Sequence, residues 1–282
     1  MHELPLVLFT VIAQGTVGLF LVLGLLLMLN RDEQRGQLLS KLMIVVLGLL
    51  AVAGAAAMTH LGQPLRAMNV IFGLEHFSAL SVEIMTTSLF GGAVFVYVAM
   101  SLMGILPKLQ KLVLAAAMVI GVLLLLAIAN VYTLATVPTW NSGWTVFQFV
   151  LPAAIVGLPA AAMLLRSQSE KLGKFQKNSD RALATTAMIA LGVAVIGFSL
   201  YLFWLGQLHL PINPFSLMDY HGQLLLIRMV LLFLGLSCWI VSAMRGNNAH
   251  TGISAFSLVL VVGSEICGRI FFYDLHLFAS GM

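Results

Sequence analysis

Charged residues are scarce in this sequence. Only 9% of its 282 residues are Asp, Glu, Lys or Arg, whereas 61% are hydrophobic; soluble domains carry about 25% charged residues. Because so few charges cannot cover a surface that faces water, lipid must form much of the solvent around the chain. The sequence therefore indicates an integral membrane protein and excludes a soluble globular one.

Cysteine is almost absent, and histidine avoids the apolar runs. Cys238 and Cys267 each stand alone inside such a run, with no CxxC pair and no Cys/His cluster. Zinc and iron–sulfur centres need clusters of ligands, and haem usually needs axial His on helices. The sequence thus predicts no metal site, no haem and no iron–sulfur cluster in this chain. If the chain takes part in redox chemistry, a partner must carry the metal centres.

Eight apolar segments are each long enough to cross a membrane as a helix, which needs about 20 residues. Proline and charged residues separate them. The sequence predicts an all-α membrane protein with a single integral membrane domain over 1–282. The expected spans are approximately 5–29, 38–59, 79–105, 112–134, 145–165, 183–205, 222–244 and 253–278.

The basic residues follow a membrane topology and do not form a nucleic-acid surface. Of the 14 Lys and Arg residues, eleven lie in the odd-numbered connections between spans, and Arg66 alone lies in an even-numbered one. The other two, Arg228 and Arg269, lie within spans. Since cytoplasmic loops carry the excess of Lys and Arg, we predict a multi-pass membrane protein with both termini on the outer side of the membrane.

A short internal similarity between two segments is relevant to how the spans are arranged. HLGQP at 60–64 and LGQLHLP at 205–211 hold the same place in the first and second sets of four spans. Two related four-helix bundles would produce such a similarity, and so would chance in a chain rich in Leu and Gly. The possible two-bundle arrangement is thus one prediction of this sequence.

His60 and Glu83 flank one connection at the predicted outer face. Together they offer a group that titrates near neutrality and a carboxylate, beside apolar helices and close to water. This combination suits a lipid-soluble quinol, whose oxidation releases two protons that such groups can accept. Arg66 or a backbone N–H could hold the second quinol oxygen.

Simpler explanations compete at each of these positions. His60 could bond the last carbonyls of its helix, and Glu83 could favour the positive end of a helix dipole, with Ser78 or Ser81 as the cap. Glu265 and Arg269 are spaced i,i+4 in the favourable order, so we expect a structural ion pair on one helix.

The chain resembles the DmsC family, the membrane anchor subunits of bacterial dimethyl sulfoxide reductase, from end to end. The matching segments are HELPL at 2–6, HLGQPLRAMN at 60–69, ALSVEI at 79–84, TVPTW at 136–140 and GSEICGRIFFYDLH at 263–276. Met68 and Val70 depart from the pattern, where an aromatic and a small polar residue would be expected.

The resemblance implies a respiratory role. Such anchors lie in the bacterial cytoplasmic (inner) membrane, so the resemblance implies that both termini of this chain are periplasmic. They hold an iron–sulfur subunit and a molybdopterin catalytic subunit on the periplasmic face, and oxidise menaquinol for the reduction of dimethyl sulfoxide or a related acceptor. It implicates His60, Gly62, Arg66 and Glu83 in binding menaquinol, with His60 and Glu83 as proton acceptors; the terminal catalytic centre would lie in a partner. The alternatives are a multi-pass transporter and a purely structural anchor without a quinol site.

Overall fold

The computed structural model describes residues 4–60, 78–209, 218–245 and 251–280. Within these ranges every regular element is a helix. The helices are α1 Leu4–Leu29, α2 Glu33–His60, α3 Ala79–Met103, α4 Pro107–Val131, α5 Gly143–Ser167, α6 Ser169–Leu172, α7 Lys174–Gly206, α8 Met218–Met244 and α9 Thr251–Ser280.

Eight of these helices, all except the four-residue α6, are long and apolar enough to cross a membrane. They follow the order of the eight apolar segments in the sequence. The prediction of an all-α protein with eight membrane helices is therefore confirmed.

Several helices extend beyond the apolar segments that predicted them. α2 begins at Glu33 and α7 at Lys174, five and nine residues before the predicted spans. Apolar length measures only the lipid-embedded part of a helix, whereas the backbone ladder continues through charged residues that reach water. α4 begins at Pro107, which the sequence marked only as a breaker. Proline is well suited to the first position of a helix, because its missing N–H has no partner to lose there.

The first of two compact units covers Met1–Val131. In it, α1 packs on α2 and α4, and α3 packs on the same two helices. These contacts form a closed ring of four helices, so α1 and α3 lie diagonally opposite. They still meet through Phe20 and Phe90, which touch edge to face with their ring centroids 5.3 Å apart.

The second unit covers Tyr132–Met282. Here α5 packs on α7 and α9, and α8 packs on the same two helices. This is again a ring of four, with α5 and α8 on the diagonal. Each unit thus holds four membrane-length helices, in agreement with the prediction of two four-helix bundles.

Candidate functional site

Glu83 lies on the buried face of α3. Ser78 caps this helix, because its hydroxyl accepts a hydrogen bond of 3.1 Å from the backbone N–H of Ser81. Glu83 follows one turn into the helix and is only 6% exposed. Phe90, seven residues further, is fully buried, and seven residues return a helix to nearly the same face. The carboxyl group therefore faces the interior of the first unit and not its lipid surface.

A tightly packed layer closes this interior on one side of Glu83. At Phe90, α3 meets α1 and also α4, where a Cβ added at Gly121 would lie 3.0 Å from the Phe90 ring and 3.2 Å from Val17. Glu83 sits about 10 Å along the helix axis from Phe90. The carboxyl group thus lies beyond the aromatic layer, toward the beginning of α3.

The hydroxyl groups of the threonines next to Glu83 donate their hydrogen bonds to backbone carbonyls. Thr86 Oγ1 donates to the carbonyl of Val82 at 2.8 Å, and Thr87 Oγ1 donates to the carbonyl of Glu83 itself at 2.7 Å. Among the residues that the structure describes, none donates a hydrogen bond to the Glu83 carboxylate. This carboxylate can therefore accept a hydrogen bond or a proton from a bound molecule.

The other three predicted site residues are His60, Gly62 and Arg66, and of these the structure describes only the backbone of His60. α2 ends at His60, and α2 packs on α3. As consecutive membrane spans the two helices run in opposite directions, so the backbone of His60 lies at the end of the unit that holds Glu83. Gly62 and Arg66 lie outside the described residues, as does the side chain of His60.

A second group of buried charges lies in the C-terminal unit. Glu265 and Arg269 are 4% and 3% exposed, and each contacts a group on another helix. The Glu265 carboxylate lies 3.7 Å from Arg228 Nη2 on α8, and Arg269 Nη2 donates to the carbonyl of Gln148 on α5 at 3.1 Å. These contacts link α9 to α8 and to α5, which the prediction of a pair within one helix did not include.

Aromatic rings complete the surroundings of Arg269. Its guanidinium carbon lies 3.7 Å from the ring centroid of Phe149 and 5.6 Å from that of Phe272. Trp140 stacks on Phe272 at 5.3 Å, and its indole N–H donates to the carbonyl of Phe272 at 2.8 Å. Trp140 thus links the segment before α5 to the end of α9.

Sequence analysis missed one buried network entirely. Arg166 Nε and Nη2 both donate to Asp180 Oδ2, at 2.8 and 2.6 Å. The indole N–H of Trp239 donates to Asp180 Oδ1 at 2.9 Å, and Arg166 Nη1 donates to Ser242 at 3.2 Å. Arg166 is 1% exposed, although its position in a basic segment suggested a solvated loop charge. The signal in the sequence is Asp180, the lone aspartate in that segment.

Potential metal ligands are scattered in the described part of the chain. Within 4–60, 78–209, 218–245 and 251–280, no three His, Cys, Asp or Glu side chains come together in a way that could hold an ion. Cys238 and Cys267 are free thiols on different helices. The chemistry available in these ranges is that of hydrogen bonds, proton acceptance and buried charge.

The eight membrane-length helices and the buried charged side chains identify the chain as a multi-pass membrane protein. Comparison with known protein families makes this assignment more specific. The chain matches the family described as "DMSO reductase anchor subunit (DmsC)" over residues 1–275. It belongs to this family.

Named relatives align over almost the whole sequence. "Anaerobic dimethyl sulfoxide reductase chain YnfH" of Escherichia coli K12 is 33% identical over 98% of this chain and 95% of its own length. The C subunit of anaerobic dimethyl sulfoxide reductase from the same organism is 32% identical over 98% of this chain and 96% of its own length. The corresponding C subunit of Haemophilus influenzae is 28% identical over 98% and 96%.

Proposed function

We propose that this chain is the membrane anchor of a dimethyl sulfoxide reductase complex and that it oxidises menaquinol for the complex. The anchor role rests on family membership over 1–275. The quinol role rests on one observation above all: a carboxylate buried on the inner face of α3, with no donor among the described residues. A buried acceptor of this kind needs a donor to stabilise it, and a quinol hydroxyl is one.

The chemistry of the proposed site is proton removal coupled to electron transfer. Menaquinol becomes menaquinone by losing two protons and two electrons. Glu83 accepts a proton from one hydroxyl, and His60 at the end of α2 serves the other; Arg66 and the backbone near Gly62 hold the quinone oxygens. The electrons leave to an iron–sulfur subunit on the periplasmic face, and from there to the molybdopterin subunit. Those subunits supply the redox centres, and this chain supplies the quinol site.

Glu83→Gln is the decisive substitution, because it keeps the shape of the side chain and removes its ability to take up a proton. General bases contribute about 10²–10⁴-fold to rate, so quinol oxidation by membranes should fall by a factor in that range. Reduction of dimethyl sulfoxide with an artificial donor that bypasses the anchor should stay at the parental level. Glu33→Gln is the matched control, because Glu33 is an exposed acid in the first turn of α2.

Variants of the neighbouring positions separate the quinol role from a purely structural anchor. His60→Ala should also slow quinol oxidation, whereas Arg66→Ala should mainly raise the quinol concentration needed for half-maximal rate. Parental oxidation rates in both Glu83→Gln and His60→Ala would place the quinol site elsewhere or leave a structural anchor. Loss of the bypass activity as well would show that the substitutions act on assembly.

A further inference from the structure

A small void lies inside the C-terminal unit, on the axis of its helix ring. Its volume is about 10 Å³, close to the minimum that one water molecule needs and far too small for an aromatic ring. Side chains from all four membrane helices line it, among them Phe147, Gln148, Phe198, Arg228, Met229 and Glu265. It therefore lies between the diagonal helices α5 and α8.

The polar groups on its wall are mostly donors that lack an acceptor. Gln148 is 6% exposed. Its amide lies near the buried Tyr201 hydroxyl, but neither the amide nitrogen nor that hydroxyl makes a well-formed hydrogen bond within the described residues. The same holds for Nε and Nη1 of Arg228. The one anionic group nearby, Glu265, lies 3.7 Å from Arg228 Nη2, which is longer than a hydrogen bond. Buried donors of this kind are almost always satisfied in proteins, by protein groups or by ordered water.

Packing fixes the Arg228 guanidinium so that only its edge can form hydrogen bonds. The Phe198 ring covers it, with the guanidinium carbon 4.4 Å from the ring centroid. Opposite α9, a Cβ added at Gly268 would lie 2.6 Å from that carbon, so the group rests directly on the helix backbone. Arg228 is also one of the residues that line the void.

We propose that this void is a binding site for a single buried water molecule. The water accepts hydrogen bonds from Gln148 and Arg228 and donates one to the Glu265 carboxylate, so it completes the ion pair that the protein atoms leave open. Arg228 lies ten residues into α8 and Glu265 fourteen residues into α9, about 15 and 21 Å from those helix ends. The water thus joins α5 to α8 deep within the membrane-spanning part of the unit.

Radical labelling of the assembled complex tests this site, because X-ray pulses turn bound water into hydroxyl radicals that oxidise the side chains beside it. Met229 lines the void and Met118 on α4 does not, although both side chains are half-buried. Mass spectrometry should find Met229 oxidised at least several-fold faster than Met118. Equal rates for the two methionines would overturn the proposal, and this comparison needs no variant.

Two further measurements test the role of Gln148 and the nature of the bound molecule. Gln148→Leu should lower the labelling of Met229 toward that of Met118, whereas Gln207→Leu, at an exposed glutamine, should leave it unchanged. Parental labelling in an assembled Gln148→Leu complex would contradict the assignment of the amide. Protection of Met229 by a menaquinol analogue would show a site for a ring compound in place of water.

Discussion

Replacing Arg166 with Met tests the buried network at the end of α5. Methionine is unbranched and fills much of the volume of the arginine stem, so the change removes charge and donors more than packing. Asp180 would lose both guanidinium hydrogen bonds, of 2.8 and 2.6 Å, and would keep only the indole N–H of Trp239. Since Asp180 is 5% exposed, water cannot replace the lost partner.

The expected magnitude follows from the cost of one unpaired buried charge. Breaking a buried pair by removing one partner costs about 3–5 kcal/mol, or about a hundred- to several-thousand-fold in the folded fraction. Arg166→Met combined with Asp180→Asn should recover most of this loss. The asparagine carries no charge, and its oxygen can still accept from Trp239. The rescue distinguishes an electrostatic cost from a packing cost.

The assay is the amount of assembled complex in membranes, together with its thermal stability in detergent. Arg181→Met is the matched control, because Arg181 is exposed on α7 and its removal changes the charge of the same segment equally. It should cost less than about 0.5 kcal/mol. A loss as small for Arg166→Met, or a double variant no better than the single one, would refute the reasoning.

Two other predictions concern α9 and the orientation of the chain. Gly268→Ala should displace the Arg228 guanidinium and lower the amount of assembled complex, at a cost of about 1–3 kcal/mol. Gly263→Ala is the control, because the nearest atom there is Leu231 Cδ1 at 3.4 Å, and it should be neutral or better. Equal yields of the two variants would contradict the contact between Gly268 and Arg228. A reporter active only in the periplasm, fused to the C-terminus, should be active, since eleven basic residues lie in the odd-numbered connections; activity of a cytoplasmic reporter instead would reverse the orientation.

The sequence was most informative where one physical requirement dominates. Crossing a membrane demands a long apolar helix, so hydropathy alone placed all eight membrane helices in order. Helix ends were less predictable, because α7 continues through Lys174, Lys177 and Asp180 on backbone hydrogen bonds that apolar length does not measure. Ser78 as the cap of α3 was predictable, since a serine just before an apolar helix has a specific role there.

The spacing of residues in the sequence could not predict which side chains contact one another between different helices. The i,i+4 spacing of Glu265 and Arg269 describes neighbours on one isolated helix, and a pair there would contribute about 0.2–0.5 kcal/mol. Inside a bundle each of these side chains is more than nine-tenths buried, and burying an unsatisfied charge costs far more than that. The larger cost favours additional contacts with neighbouring helices, as in the approach of Glu265 to Arg228 and the hydrogen bond from Arg269 to the Gln148 carbonyl.

The same comparison of costs explains why Glu83 could be singled out from sequence while its surroundings could not. A carboxylate one turn inside an apolar helix is expensive wherever it points, so its presence alone suggests a site. Its position on the face shared with Phe90 depends on how α1, α3 and α4 pack, whereas Thr86 and Thr87 bond to carbonyls one turn earlier in α3 itself. A buried carboxyl group whose neighbouring hydroxyls are already engaged is what the proposed quinol site requires, and retained bypass activity in Glu83→Gln would show that the fold survives the substitution.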